Sequence, residues 1–234
     1  MKILVMCGGR GKRMGKITAK IPKPLTKING KVVLGLKIDQ YIKQGFKDYI
    51  FCISYKGQMI IDFIQKKYKH INAEFSDAGK TAGILKRLFY ASQLFSDSVL
   101  MTYGDTISKI NLIDFIARHE NGNNDTTVAL AAIKNPFGIV EYDQNMMITS
   151  FQEKPVFHYY IGYAIVNKNI LLKMPNKTIN GIDGEGIVAF YNKLIEINKL
   201  GSYLYLGHKI TFNTLEEYDK AKKEIKVFYT IPTR

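Results

Sequence analysis

Three glycines and three cations occupy six consecutive positions, Gly8-Gly9-Arg10-Gly11-Lys12-Arg13. Glycine lets a backbone turn sharply and approach a ligand closely. Successive N–H groups in such a loop form a nest for an anion, and Arg10, Lys12 and Arg13 would add fixed charge around a bound phosphate. The loop is neither a GxxxxGK[ST] phosphate loop nor a GxGxxG dinucleotide fingerprint. A second cation, Lys23, sits between Pro22 and Pro24, whose rings restrict the backbone on both sides. A rigid mount suits a lysine that delivers charge to one point. A carboxylate follows in Tyr103-Gly104-Asp105. Mg²⁺ binds through few protein ligands and relies on substrate phosphates, so one such aspartate is enough to propose a metal site. Two further segments fit the same chemistry. Asp77-Ala78-Gly79-Lys80-Thr81-Ala82-Gly83 is a glycine-rich loop feeding the basic stretch Leu85-Lys86-Arg87-Leu88, and Phe151-Gln152-Glu153-Lys154-Pro155 carries another proline-braced lysine. Each segment taken singly also reads as an ordinary turn with solvated charge.

These residues need a frame, and the hydrophobic pattern supplies one. Short apolar runs at Ile3–Met6, Tyr49–Ser54, Ala73–Phe75 and Ser98–Thr102 predict buried strands. Helical spacing predicts helices over Val33–Gln44, Gln58–Tyr68 and Ala82–Leu94. Strands alternating with helices imply a parallel sheet with right-handed crossovers, and ligands sit beyond the carboxyl ends of such strands. Gly8 follows the first strand and Gly104-Asp105 the fourth, so both motifs belong at that edge. After about residue 125 the pattern turns to strands: Thr126–Ile133, Gly138–Tyr142, Met147–Gln152, Tyr160–Val166 and Tyr203–Leu206, with helices at Ile187–Asn198 and Leu215–Ile225. The expectation is one domain over 1–234, with a nucleotide-binding half to about 125 and an acceptor-binding half from about 126. The fold class is α/β, a Rossmann-like mixed, mostly parallel sheet flanked by helices.

The 234 residues, 46% hydrophobic, support one sizeable core. No apolar run approaches the ~20 residues of a membrane span, and the stretch from Ile3 to Met6 is shorter than a signal peptide's apolar region. Two cysteines, Cys7 and Cys52, without metal-like spacing fit a reducing cytoplasm. The net charge of +14 comes mostly from lysine, with only five arginines, and is spread along the chain. Base readout and bidentate phosphate clamping favour arginine, so a lysine-rich surface accounts for the charge better than a nucleic-acid footprint.

In order and spacing, the motifs resemble the sugar-nucleotidyltransferase family. Its members open with a strand, GGxGxR and a KP loop, matched here by Met6 to Met14 and Lys23-Pro24. Cys52 to Phe63, the TAG-I-LKR run from Thr81 to Arg87, the YGD of Tyr103 to Asp105 and the SFQEKP of Ser150 to Pro155 are similar to the glucose-1-phosphate cytidylyltransferases. The resemblance implies a nucleotide-diphospho-sugar transferase type of fold, CTP as donor, Mg²⁺ as cofactor, pyrophosphate as product and possible homo-oligomers. It implies that Met6, Gly8, Gly9 and Gly11 cradle the nucleotide, with Thr81 and Gly83 against the cytosine and Lys86 nearby. Arg13 and Lys23 would act as the catalytic cations, Asp105 would hold the metal, and Glu153, Lys154 and Tyr163 would meet the acceptor. The chemistry is consistent: an acceptor phosphate oxygen is already anionic and needs no general base, so catalysis becomes positioning and cation placement. His70, His119, His158 and His208 lack triad-like context.

The sequence departs from the family on the acceptor side. Gly207 to Thr214 stands where relatives carry GFW and MDT, the chain has no Trp, and Asn213 replaces an expected metal-binding Asp. An amide is a weaker Mg²⁺ ligand than a carboxylate. Tyr160-Ile161-Gly162-Tyr163 replaces an NGG-F stretch, and Asp183 to Gly186 lacks a WE pair. These departures predict a non-sugar acceptor, such as the phosphoglutamine used in capsular phosphoramidate synthesis. A sugar 1-phosphate such as glucose 1-phosphate is the alternative, phosphocholine a third, and a non-catalytic nucleotide- or nucleic-acid-binding protein a reading of another class.

Overall fold

The computed structural model describes residues 1–182 and 184–230. Asp183 and the terminal residues 231–234, which include Arg234, lie outside them, as do the side chains of residues 12, 227, 229 and 230.

In chain order the elements are β1 (Lys2–Met6), α1 (Lys16–Lys20), β2 (Lys27–Ile28), β3 (Lys31–Val32), α2 (Val33–Lys43), β4 (Asp48–Ile53), α3 (Gly57–Lys67), β5 (Asn72–Asp77), α4 (Ile84–Ala91) and β6 (Ser98–Tyr103). They continue with β7 (Ile107–Ser108), α5 (Leu112–Glu120), β8 (Thr126–Lys134), β9 (Ile139–Tyr142), β10 (Ile148–Gln152) and β11 (Val156–Asn167). The remainder are α6 (Lys168–Leu172), α7 (Asn176–Ile179), α8 (Glu185–Glu196), β12 (Leu200–Leu204), β13 (Lys209–Ile210) and α9 (Leu215–Thr230).

One seven-stranded sheet runs through both halves in the order β12-β8-β11-β6-β1-β4-β5. β4 and β6 flank β1 in parallel, β5 adds to β4 in parallel, and β12 to β8. Only β11 runs against its neighbours, β6 and β8. The expected mixed, mostly parallel α/β sheet is therefore present. Its central strands are near-continuous apolar runs because both faces are covered. On one face Ile3, Val5, Phe51 and Leu100 pack with Leu34, Ile38 and Tyr41 of α2 and Phe115 of α5. On the other, Leu4, Ile50 and Met101 pack with Leu85 and Leu88 of α4 and Phe190 of α8. A third cluster lies under α9, where Phe212, Ala221 and Ile225 meet Met14 and Val33.

The chain passes from β1 outward to β4 and β5, then returns to place β6 on the other side of β1. That reversal leaves a crevice beyond the carboxyl ends of β1 and β6. β9 and β10 form a separate two-stranded sheet, and β2–β3 and β7–β13 form two more.

Candidate active site

The crevice at the reversal point is a cavity of about 800 Å³. The loop after β1 forms one wall through Gly8, Gly9, Arg10, Gly11 and Arg13. Lys80, Thr81, Ala82 and Gly83 leading into α4 form another, and Tyr103 and Asp105 after β6 close the side together with Asn213.

Close backbone approach shapes this edge. Gly104 donates its N–H to the Met6 carbonyl at 3.0 Å, tying the two loops together. A side chain there has no room: a Cβ on Gly104 would lie 2.9 Å from that same carbonyl oxygen and 3.0 Å from Pro24. Gly11 has φ +61, the left-handed region that glycine tolerates best. Its carbonyl accepts from the Met14 N–H at 2.9 Å and the Thr18 hydroxyl at 2.9 Å, closing the basic loop. A Cβ on Gly8 would run into the Arg87 guanidinium. That guanidinium is held by the carbonyls of Ile53 at 3.2 Å and Gly79 at 3.1 Å. Burial lowers the Arg87 pKa from its ordinary value.

Lys23 is the central cation. Pro22 caps a short 3-10 turn over Lys23–Leu25, and Thr26 donates to the Lys23 carbonyl from both its N–H and its hydroxyl. The side chain is buried, with 9% exposed. Its ammonium reaches Asp105 Oδ2 at 2.6 Å and Asn213 Oδ1 at 3.0 Å, and sits 5.3 Å from the centre of the Phe212 ring. Asn213 is fixed from behind. Its N–H donates to the Glu217 carboxylate, and the Glu217 N–H donates to the Thr214 hydroxyl at 3.2 Å, a capping arrangement at the start of α9. One carboxylate, one amide and one lysine thus converge from three distant segments.

Mg²⁺ fits this donor set in one way. No cluster of three or more His, Cys, Asp or Glu occurs among the described residues, so the protein offers no closed cage. Asp105 is the one carboxylate lining the cavity among the described residues, and Mg²⁺ is commonly held by one or two carboxylates plus substrate phosphates.

Other nucleophiles and bases are accounted for. Burial raises the Cys7 thiol far above its ordinary pKa and pushes Cys52 up to about 12, so both stay protonated. His119 is buried, bonded to Thr127 and Asn167 at 2.8 and 2.9 Å. None of the four histidines lines the cavity among the described residues.

Of the residues singled out in the sequence, Met6, Gly8, Gly9, Gly11, Arg13, Lys23, Thr81, Gly83, Asp105 and Asn213 are brought together here. Lys86 does not line the cavity; its neighbour Arg87 does, along with Lys80. Arg87 lies one turn beyond Gly83, whose carbonyl accepts its N–H at 3.1 Å. The i, i+4 step from the glycine is the sequence signal that points to it.

The acceptor-side expectations fare differently. Tyr163 is a correction: its phenol is fully buried, bonded to Lys37 Nζ at 3.0 Å, Tyr41 at 2.9 Å and Ser108 at 3.0 Å. Burial pushes this phenol up, but the Lys37 ammonium and the hydrogen bonds bring it below the ordinary value. It braces β6, β7 and α2 and presents nothing to an acceptor. Glu153 and Lys154 are exposed just past the end of β10, 3.4 Å from each other, and neither lines the cavity. A separate cavity of about 480 Å³ opens between β8, β11 and α9, lined by Tyr159, Tyr205, Lys209 and Lys220.

The sequence profile of the nucleotidyl transferase family matches residues 2–230. A probable glucose-1-phosphate cytidylyltransferase of Bacillus subtilis is 31% identical, covering 86% of this chain and 96% of its own. The glucose-1-phosphate cytidylyltransferase of Salmonella typhi is 28% identical over 89% of this chain and 88% of its own. In fold, a putative glucose-1-phosphate thymidylyltransferase from Bacillus anthracis superposes with a TM-score of 0.77 at 16% identity, over 100% of this chain and 98% of that one. A glycine-lined crevice at the sheet's reversal point and a profile match from Lys2 to the last described residue agree: the chain belongs to the nucleotidyl transferase family.

Proposed function

We propose that this nucleotidyltransferase transfers CMP from CTP to a sugar 1-phosphate, glucose 1-phosphate foremost, and releases pyrophosphate. The observation that carries the reading is Lys23, held between Asp105 and Asn213 at the floor of a glycine-lined cavity. The donor assignment rests on Thr81 and Gly83, which line that cavity, and on the activity for which the two cytidylyltransferase relatives are named. Those relatives also favour a sugar phosphate over the non-sugar acceptor that the missing Trp and Asn213 suggest.

In this reading the acceptor's phosphate oxygen attacks the α-phosphorus of CTP. A new P–O bond forms, the bond from the α-phosphorus to the bridging oxygen breaks, and pyrophosphate leaves with that electron pair. No proton is removed in the step. The N–H groups of Gly8, Gly9 and Gly11 and the guanidinium of Arg13 hold the phosphates. Lys23 brings its ammonium to the charge that develops between nucleophile and leaving group. Members of the family typically use a divalent metal. Here Asp105, with Asn213 beside it, would hold Mg²⁺, which when bound neutralises phosphate charge.

A panel of CTP, UTP, ATP and GTP crossed with glucose 1-phosphate, other sugar 1-phosphates, phosphoglutamine and phosphocholine, scored by pyrophosphate release, tests this. CTP with a sugar 1-phosphate is expected to give the highest kcat/KM. Equal rates with all four nucleotides would overturn the cytidine assignment, and turnover only with phosphoglutamine would overturn the sugar. Salt-sensitive binding of DNA or RNA without pyrophosphate release would overturn the enzyme reading.

A further inference from the structure

Lys37 of α2 has no exposed surface. Lysine is almost never fully buried unless it is paired. Its ammonium donates to the Thr102 hydroxyl at 3.1 Å, to the Tyr163 hydroxyl at 3.0 Å and to the Thr106 carbonyl, and none of these partners is a carboxylate. A buried charge without a counter-ion is costly, and an apolar side chain of similar volume would fill the space without that cost. No step of the proposed transfer uses this lysine.

Its partners show what the charge holds. Thr102 and Thr106 bracket Tyr103-Gly104-Asp105, the turn that carries the carboxylate lining the cavity. One ammonium therefore ties both ends of that turn to α2. The third partner is itself fixed: the Tyr163 hydroxyl also meets the Tyr41 hydroxyl at 2.9 Å and the Ser108 hydroxyl at 3.0 Å. The Gly104 N–H holds the middle of the turn to the Met6 carbonyl, so the Asp105 side chain reaches the cavity from a fixed base. Without Lys37 the Thr106 carbonyl would lose this donor, in a residue only 4% exposed. A buried acceptor left unpaired carries its full desolvation penalty, which favours a shifted turn.

We propose, on the reading of Asp105 as the metal ligand, that Lys37 is a positioning residue for the metal site: its buried ammonium fixes the turn between Thr102 and Thr106 so that Asp105 meets Mg²⁺ in the geometry the ion demands. Mg²⁺ tolerates little departure from octahedral coordination. Removing a group that orients a metal ligand costs about 10–100-fold in metal affinity. Asp105 is the one carboxylate lining the cavity among the described residues, so no second carboxylate compensates for its displacement.

Mn²⁺ serves as the probe for Mg²⁺. It is titrated into the full chain with CTP, the free ion is followed by electron paramagnetic resonance, and Mn²⁺ binding to CTP alone is measured separately. Lys37→Met is expected to raise the Mn²⁺ dissociation constant, and the KM for Mg²⁺ in turnover, about 10–100-fold, with the KM for CTP at saturating metal unchanged. Tyr41→Phe is the control for packing. It removes a hydroxyl that bonds Tyr163 in the same buried cluster but no backbone atom of the turn, and should lower Tm while leaving both metal constants as in wild type. Lys37→Gln, which keeps an N–H donor, stands in if the methionine variant does not fold, and its constants should fall between the two. A wild-type Mn²⁺ constant in whichever Lys37 variant folds would overturn the inference. So would an equal rise in Tyr41→Phe, or failure of both Lys37 variants to fold where Tyr41→Phe folds, which would make the lysine purely structural. Equal Mn²⁺ binding by wild type and Asp105→Ala would instead overturn the metal reading of Asp105 itself.

Discussion

Around the cavity, one added methyl group at Gly104 would strike the Met6 carbonyl, and Lys23 is gripped by three distant segments. On the β9–β10 arm, side chains stand in solvent, and just past it the exposed Glu153 and Lys154 pair with each other at 3.4 Å. Both regions carry motifs that resemble the family's, yet only one is preorganised within the single chain. The contrast follows from what each must do. Phosphate binding needs backbone N–H groups held at fixed spacing, and glycine contacts supply that without a ligand. The β9–β10 ribbon stands outside the main sheet, with its side chains in solvent.

Perturbing the cavity should therefore cost far more than perturbing the arm. Lys23→Met removes the cation shared by Asp105 and Asn213, and kcat should fall about 10³-fold with far-UV circular dichroism unchanged, measured by pyrophosphate release. Next comes Gly104→Ala. Its Cβ forces the Asp105 loop away from β1, and a displacement near 1 Å costs about 100-fold in kcat/KM, together with a lowered Tm. Lys154→Ala should raise the acceptor KM by about tenfold or less, which corresponds to ~1.4 kcal/mol, and leave the KM for CTP untouched. A Lys154 variant as damaged as the Lys23 variant would erase the contrast. The smallest effect belongs to the thiols. Both are buried, with burial pushing Cys52 up to about 12, so iodoacetamide at pH 7 should leave activity within about twofold.

Much of this architecture is legible in the sequence because its signals are local. The buried strands β1, β4 and β6 are short apolar runs, and Gly8, Lys23 and Asp105 follow directly from their place at strand ends and between prolines. The misreadings have tertiary causes. Lys37 of α2 is fully buried, its ammonium satisfied by Thr102, the Thr106 carbonyl and Tyr163. Tyr163 was expected at the acceptor, yet the register shift between Tyr160 and Ala164 and the φ of +80 at Gly162 set it into the core. No periodicity reveals a bulge of that kind. β12 begins at Leu200, earlier than the expected Tyr203, since its parallel register with β8 starts at Leu200–Thr126. α5 carries a local signal, the Asn111 cap that accepts from the N–H groups of Ile113 and Asp114.

We place the chemistry at Asp105, in the cavity between β1 and β6. The most direct measurement is steady-state turnover of CTP and glucose 1-phosphate by wild type and Asp105→Ala, with CTP binding followed in parallel. Turnover is expected to fall by at least about 10³-fold while the variant remains folded and still binds CTP. Turnover within a few-fold of wild type would contradict it and move the reaction elsewhere in the molecule.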